Sequence, residues 1–182
     1  MQDSERELIE NLKNDKTREP AFRELVFAYQ ERLYWHIRKI VLNHDDADDV
    51  LQNTFLKVWK NLDSFREESS LYTWLYRIAT NESITHINAM KRRSTVPIND
   101  VSELIRNRIE TDVWFEGTEI QKKLQNAILT LPEKQRIVFN MRYFDEMPYL
   151  EMSRILETSV GALKASYHHA VRKVEDYLTN SE

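Results

Sequence analysis

Apolar residues recur at spacings of three and four along the chain before about Arg93. Phe22, Leu25, Val26, Tyr29, Leu33, Ile37, Ile40 and Val41 line up as one face of a long helix. Asp45-Asp46 supplies an N-cap and first-turn negative charge for a second helix, which runs to about Leu62. Leu62 to Ser69 reads as a polar loop, and Ser69 or Ser70 caps a third long helix. Leu71, Trp74, Leu75, Ile78 and Ala79 point inward on it, and it ends near Lys91-Arg92-Arg93, cations suited to a helix C-terminus.

The stretch STVPINDVSELIRNRIETDVWFEGT, residues 94–118, breaks this pattern. It is acidic and weakly periodic, contains Pro97 and Gly117, and reads as a linker with one short helix around Val101–Ile109 and with Trp114 and Phe115 as docking side chains. Helical spacing resumes near Thr118 with Ile120, Leu124, Ala127, Ile128 and Leu131. Leu131-Pro132-Glu133 opens a further helix with proline in its first turn, where the missing N–H costs nothing. Pro148 starts a short helix from Tyr149 to about Leu156, anchored by Leu150, Ile155 and Leu156. A tight turn at Glu157-Thr158-Ser159 leads to a last helix beginning at Val160. Two short helices joined by a turn, the second with a basic face, describe a helix-turn-helix.

Composition supports this outline. Only two glycines and four prolines fit a largely helical chain. The absence of cysteine excludes disulfides, thiolate metal sites and thiol nucleophiles. No apolar run approaches the roughly 18 residues that span a membrane. The opening MQDSERELIE is too acidic and polar for a signal peptide, so a cytoplasmic protein without direct membrane insertion is expected. Net charge misleads until it is divided. Residues 1–93 hold 15 Lys/Arg and 16 Asp/Glu, residues 94–119 hold 2 and 6, and residues 120–182 hold 9 and 8. The middle segment therefore carries the acidity. From Thr158 to Val174 there is no acidic residue, while Lys164, His168, His169, Arg172 and Lys173 all occur, the distribution expected of a DNA-facing helix.

On that last helix Val160, Leu163, Tyr167, Ala170, Val174 and Leu178 form one stripe, leaving Ala162, Lys164, Ala165, Ser166, His168, His169 and Arg172 on the other side. A solvated bundle face would look similar on charge pattern alone; the short helix and turn before it favour DNA. His168-His169 does not make a metal site, because adjacent helical residues diverge by about 100° and no carboxylate follows at the right spacing. Asp45, Asp46, Asp48 and Asp49 lack the alternating ligands, glycine and terminal glutamate of a calcium loop. Asp48, Asp49, Gln52 and Asn53 instead continue along an exposed side while Val50, Leu51, Phe55, Val58 and Trp59 supply apolar surface, which suits docking to a basic partner. Phe65 to Ser70 followed by Leu71-Tyr72-Thr73-Trp74 sets aromatics and hydroxyls beside Arg77 and Asn81. Alone, Trp74 favours a core position. Aromatics interleaved with cations and amides are nevertheless what single-stranded DNA binding needs. No Ser-His-Asp grouping, phosphate-cradling glycine loop or HExxH occurs, so neither catalysis nor a cofactor is expected.

Together these segments resemble the bacterial RNA polymerase sigma factors of the extracytoplasmic-function (ECF) type, in the sigma-seventy family. HDDADDVLQNTFLKVWKNLDSFREESSLYTWLYRIATN is similar to the family's D-A-E-D-x-x-Q-E-x-F-x-x-x-W block, loop and T-W-L-Y-R-I-A-x-N helix, and LPEKQRIVFNMRYF with the helix-turn-helix is similar to region four. The resemblance implies region two in residues 1–93, a linker at 94–118 and region four in 119–182. It implies docking on core RNA polymerase through Asp48, Asp49, Gln52 and Asn53. Recognition and melting of the minus-ten promoter element falls to Phe65, Ser69, Ser70, Trp74, Arg77 and Asn81. Reading of the minus-thirty-five element falls to Lys164, Ala165, Ser166, His168 and His169, with Arg172 on phosphate. The family is often held inactive by a membrane-bound anti-sigma protein. Three departures stand out: Asn53 replaces the usual glutamate, Glu157-Thr158 falls where the turn usually has glycine, and Lys164-Ala165-Ser166 replaces Arg-Ser-Arg.

The expectation is thus an all-α protein of two small helical domains joined by an acidic linker, acting as a promoter-specificity subunit and not as an enzyme. The rivals are a stand-alone helix-turn-helix regulator with an N-terminal sensing or oligomerisation domain, and a helical scaffold without a DNA role.

Overall fold

The computed structural model describes residues 2–93 and 118–180. The linker expected at 94–118, its short helix and Trp114 and Phe115 thus lie outside the described residues, Thr118 excepted. Among the described residues the regular structure is eight α-helices and one 3-10 turn, without strands. The chain divides into two compact units, Met1–His86 and Ile87–Glu182.

The first unit holds α1 (Gln2–Lys13), α2 (Arg18–Val41), α3 (His44–Asn61), the 3-10 turn Leu62–Ser64 and most of α4 (Leu71–Arg93). The apolar stripe of α2 is buried as its spacing requires, with Leu25, Leu33 and Ile37 fully inaccessible. Ala47, Val50 and Val58 of α3 and Leu71, Leu75 and Ala79 of α4 complete the core. Thr54, Thr80 and Ser83 are buried too. Each donates its hydroxyl to the carbonyl one turn back, at 2.7–2.8 Å, so none of these three hydroxyls is stranded. His36 bridges helices: Nε2 lies 2.8 Å from Thr80 Oγ1, and its ring packs 4.7 Å from that of Tyr76.

Local chemistry differs from the sequence expectation in three places. The helix over the first apolar residues, α1, has no boundary marked by the sequence pattern, yet it buries Leu8, Ile9 and Leu12. The N-cap of α3 is Asn43, whose side chain accepts from the Asp46 N–H at 3.0 Å; Asp45 and Asp46 sit in the first turn instead. An amide oxygen serves a cap as well as a carboxylate, which leaves Asp46 free to pair with His86 at 3.0 Å. The 62–69 loop is not wholly polar, because Leu62 and Phe65 are buried in it.

The second unit contains α5 (Glu119–Leu129), α6 (Glu133–Tyr143), α7 (Tyr149–Leu156) and α8 (Val160–Asn180). Thr118 and Gln121 form a reciprocal capping box at the start of α5. Ala127, Ile128, Leu131, Phe139, Ala170 and Val174 form its core, with Tyr167 and Leu178 packed against it. Pro132 is the N-cap residue of α6, one place ahead of the first turn where the sequence put it. In α7 the anchors are Met152 and Ile155; Leu150, expected inside, is 60% exposed. An eight-residue helix has room for one inward stripe, and Met152 occupies it.

The turn into α8 uses Glu157 in the left-handed conformation, φ 51° and ψ 40°, with its N–H on the Ser153 carbonyl. Ser159 then caps α8, accepting from the Ala162 N–H at 3.3 Å. A side chain at a left-handed position is strained, while glycine costs chain entropy on folding. The first term is larger. Glu157→Gly is therefore expected to stabilise the second unit by roughly 0.5–1 kcal/mol. Slower amide exchange in α7 and α8 would register the gain.

Candidate nucleic-acid and docking surfaces

Burial of Leu163, Ala170 and Val174 turns one stripe of α8 inward and leaves the opposite face in solvent. Lys164, Ala165, His168, His169 and Arg172 are all exposed, and Ser166 is half-buried at the edge. Neither Lys164 nor Arg172 has an acidic partner among the described residues. Lys173 reaches back to Gln135, donating at 3.1 Å to its side-chain oxygen, and so is tied to α6. The sequence reading missed Tyr149, the first residue of α7. Its ring carries two cations, the Arg142 guanidinium at 5.2 Å and the Lys164 ammonium at 5.9 Å. Arg142 also donates to the Met147 carbonyl at 3.1 Å, so α6, α7 and the first turns of α8 are linked at this point. Burial, then the neighbouring Tyr149, push the Tyr167 phenol above its ordinary pKa, and Arg142 acts the other way. An aromatic residue directly after the helix-starting proline was the available signal.

On α3, Asp49, Gln52 and Asn53 are exposed within about one turn, and Asp48 is half-exposed beside them. Asp48 lies 3.6 Å from His44 Nε2, and His44 Nδ1 is 2.6 Å from the Tyr34 hydroxyl, so this edge of the face is ordered by its own polar chain. Leu56, one turn beyond Gln52 and Asn53, is 56% exposed. It extends the acidic and amide surface with an apolar one. Its spacing of four from Gln52 would have revealed it. Trp59 is only partly covered, its ring 4.9 Å from that of Phe22.

The residues expected around the minus-ten loop separate into two groups. Phe65 and Trp74 are each 7% exposed, and their rings pack at 5.0 Å. Trp74 takes the core position that it favours taken alone: burying two large rings against each other outweighs leaving them in water, and they brace the loop from inside. Ser70 is committed as the N-cap of α4, accepting from the Thr73 N–H at 3.1 Å. Ser69, Arg77 and Asn81 remain at least partly accessible, the last two one turn apart on α4. Among the described residues there is no group of His, Asp and Glu suited to holding a metal, and no helix long and apolar enough to cross a membrane.

Residues 25–93 match the family model for sigma-70 region 2, and residues 121–174 the model for sigma-70 region 4. The chain is 30% identical over 164 residues to the ECF RNA polymerase sigma factor SigW of Bacillus subtilis, covering 84% of this chain and 88% of that one. It is 29% identical to the RNA polymerase sigma-H factor of Pseudomonas aeruginosa, over 97% of this chain and 95% of the relative. With the ECF RNA polymerase sigma-E factor of Escherichia coli K12 it shares 30% identity, over 86% and 85% of the two chains. Among solved structures the fold is similar to CnrH in complex with the cytosolic domain of CnrY, with a TM-score of 0.68 and 21% identity over 98% of this chain and 99% of that one. It is similar as well to RpoE of Bartonella quintana in complex with the anti-sigma factor NepR, with a TM-score of 0.64 and 20% identity over 88% and 98% of the two chains.

The burial of Trp74 has a measurable consequence. Trp74→Ala is expected to destabilise the first unit by roughly 3–5 kcal/mol, whereas Trp74→Phe costs much less. Urea denaturation followed by circular dichroism separates them. An alanine variant as stable as the parent would place the ring at the surface.

Proposed function

The chain belongs to the sigma-70 family, in its extracytoplasmic-function group, and we propose that its two helical units divide that family's work between them. It is an RNA polymerase sigma factor, directing promoter-specific initiation by binding core polymerase and by recognising and melting promoter DNA. In our reading residues 1–93 act as region two, 94–118 as the linker and 119–182 as region four. The factor makes and breaks no covalent bond; nucleotide chemistry stays with the polymerase, in the cytoplasm where that enzyme works. An anti-sigma factor is a further partner, of the kind that the RpoE structure holds.

The observation that carries this reading is one chain with two complementary surfaces. The face of α8 up to Val174, where no acidic residue occurs, suits phosphate and base edges, and the Asp48, Asp49, Gln52 and Asn53 face of α3 suits a basic protein surface. We assign core docking to those four residues, with Leu56 as an apolar addition. Minus-ten contact goes to Ser69, Arg77 and Asn81, with Phe65, Ser70 and Trp74 shaping the loop. Minus-thirty-five contact goes to Lys164, Ala165, Ser166, His168, His169 and Arg172. Reconstitution with purified core polymerase tests the whole: the factor should co-purify with it and confer initiation at defined promoters. DNA binding without core association would support the stand-alone regulator instead.

Two variants probe the assignments. Asp49→Lys reverses the charge complementarity of an exposed position and should weaken core association by several kcal/mol without unfolding α3. Unchanged core affinity would remove this face from the interface. On α8, Lys164 lies where a side chain reaches base edges, and Arg172 two turns further on, where the helix meets backbone. Lys164→Ala should cost roughly 1–3 kcal/mol and relax preference at one or two base pairs. Arg172→Ala should weaken all sequences alike and lower the salt slope by about one unit. Competition with a randomised duplex library at two salt concentrations distinguishes them; the reverse pattern would invert the helix orientation.

A further inference from the structure

A set of ion pairs around the loop between α3 and α4 belongs to none of the surfaces above. Lys13, the last residue of α1, pairs with Glu67 in that loop. Arg18, the first residue of α2, donates through Nη2 to Asp63 at 2.6 Å and through Nε to the Leu12 carbonyl at 3.1 Å. It also lies 3.4 Å from Asp15. The Thr17 hydroxyl closes the same corner by donating to the Asn11 carbonyl at 2.9 Å. The α1–α2 corner is therefore built by its own bonds and by the burial of Leu8 and Leu12, and it then offers two cations to one loop.

That loop is acidic where it faces solvent. Asp63, Glu67 and Glu68 are exposed, and Arg66 and Ser69 alternate with them. Glu67 holds a left-handed backbone, φ 58°, so its place is set by surroundings and not by local preference. Phe65 and Trp74 fix the inner side of the loop. Lys13 and Arg18 fix its outer side, and they neutralise two carboxylates that would otherwise repel a nucleic-acid backbone.

We propose that the α1–α2 corner is a positioning brace for the minus-ten loop. Lys13 and Arg18 touch no DNA. They hold Glu67 and Asp63 so that Arg66 and Ser69 meet the separated strand in a single arrangement, with the acidic charge beside them compensated. The inference rests on the reading that this loop contacts the minus-ten element.

A charge-exchange cycle in the full-length factor, bound to core polymerase, tests it. The reading is the rate of promoter opening, followed by permanganate reactivity of unpaired thymines on a promoter mapped by reconstituted transcription. In the parent background Lys13→Glu should slow opening roughly two- to fivefold, the range of an exposed ion pair. In the Glu67→Lys background the same change should speed opening, because it restores an opposite-charge pair. Core affinity should be the same in all four proteins. A Lys13→Glu effect equal in both backgrounds, or none in either, would overturn the brace and leave the sigma-factor reading intact. Core affinity falling in step with opening would also overturn it, since that marks a general structural defect. A parent holoenzyme that opens no promoter would overturn both.

Discussion

The single inward stripe of α8 is the constraint on which the second unit depends. Leu163, Ala170 and Val174 can be buried together only if the helix presents its other side to water, and that side holds Lys164, His168, His169 and Arg172. Packing thus orients chemistry. The turn before the helix obeys the same requirement. With Glu157 in the left-handed region, α7 turns into α8 so that Met152, Ile155 and Leu163 are all buried, and the strain at Glu157 is offset by that burial.

In the first unit the corresponding role falls to contacts that reach α4. His36 to Thr80, Asp46 to His86, and the ion pair of Lys57 with Glu82 tie α4 to α2 and α3 through side chains. The loop that leads into α4 is anchored from inside by Phe65 on Trp74 and from outside by Lys13 and Arg18. Its exposed groups are accordingly held between an apolar inner anchor and a charged outer one.

Charge works by location. The chain is acidic overall, yet α8 has no carboxylate before Glu175 and the face of α3 is acidic and amide-rich. A charged face acts within a Debye length of about 10 Å at ordinary ionic strength, so each face is felt through its own local charge. The sum of charges says little about either partner.

The helices from α2 onward in the described segments, the helix-turn-helix, and both candidate faces were legible in the sequence, because a helix with one buried stripe repeats with its own period. So were Asp49, Gln52, Lys164 and Arg172, whose polar neighbours left them nowhere to go but outward. What spacing could not decide was which of several apolar residues wins a crowded place. Met152 displaces Leu150, and Phe65 and Trp74 choose each other over solvent, because such outcomes depend on side-chain volume across elements distant in sequence. Nor could it decide which oxygen caps α3, where Asn43 stands two residues ahead of the aspartates. The ion pairs of Lys13 and Arg18 with the loop were invisible for the same reason: pairing across more than forty residues is a property of the folded packing, not of any local pattern.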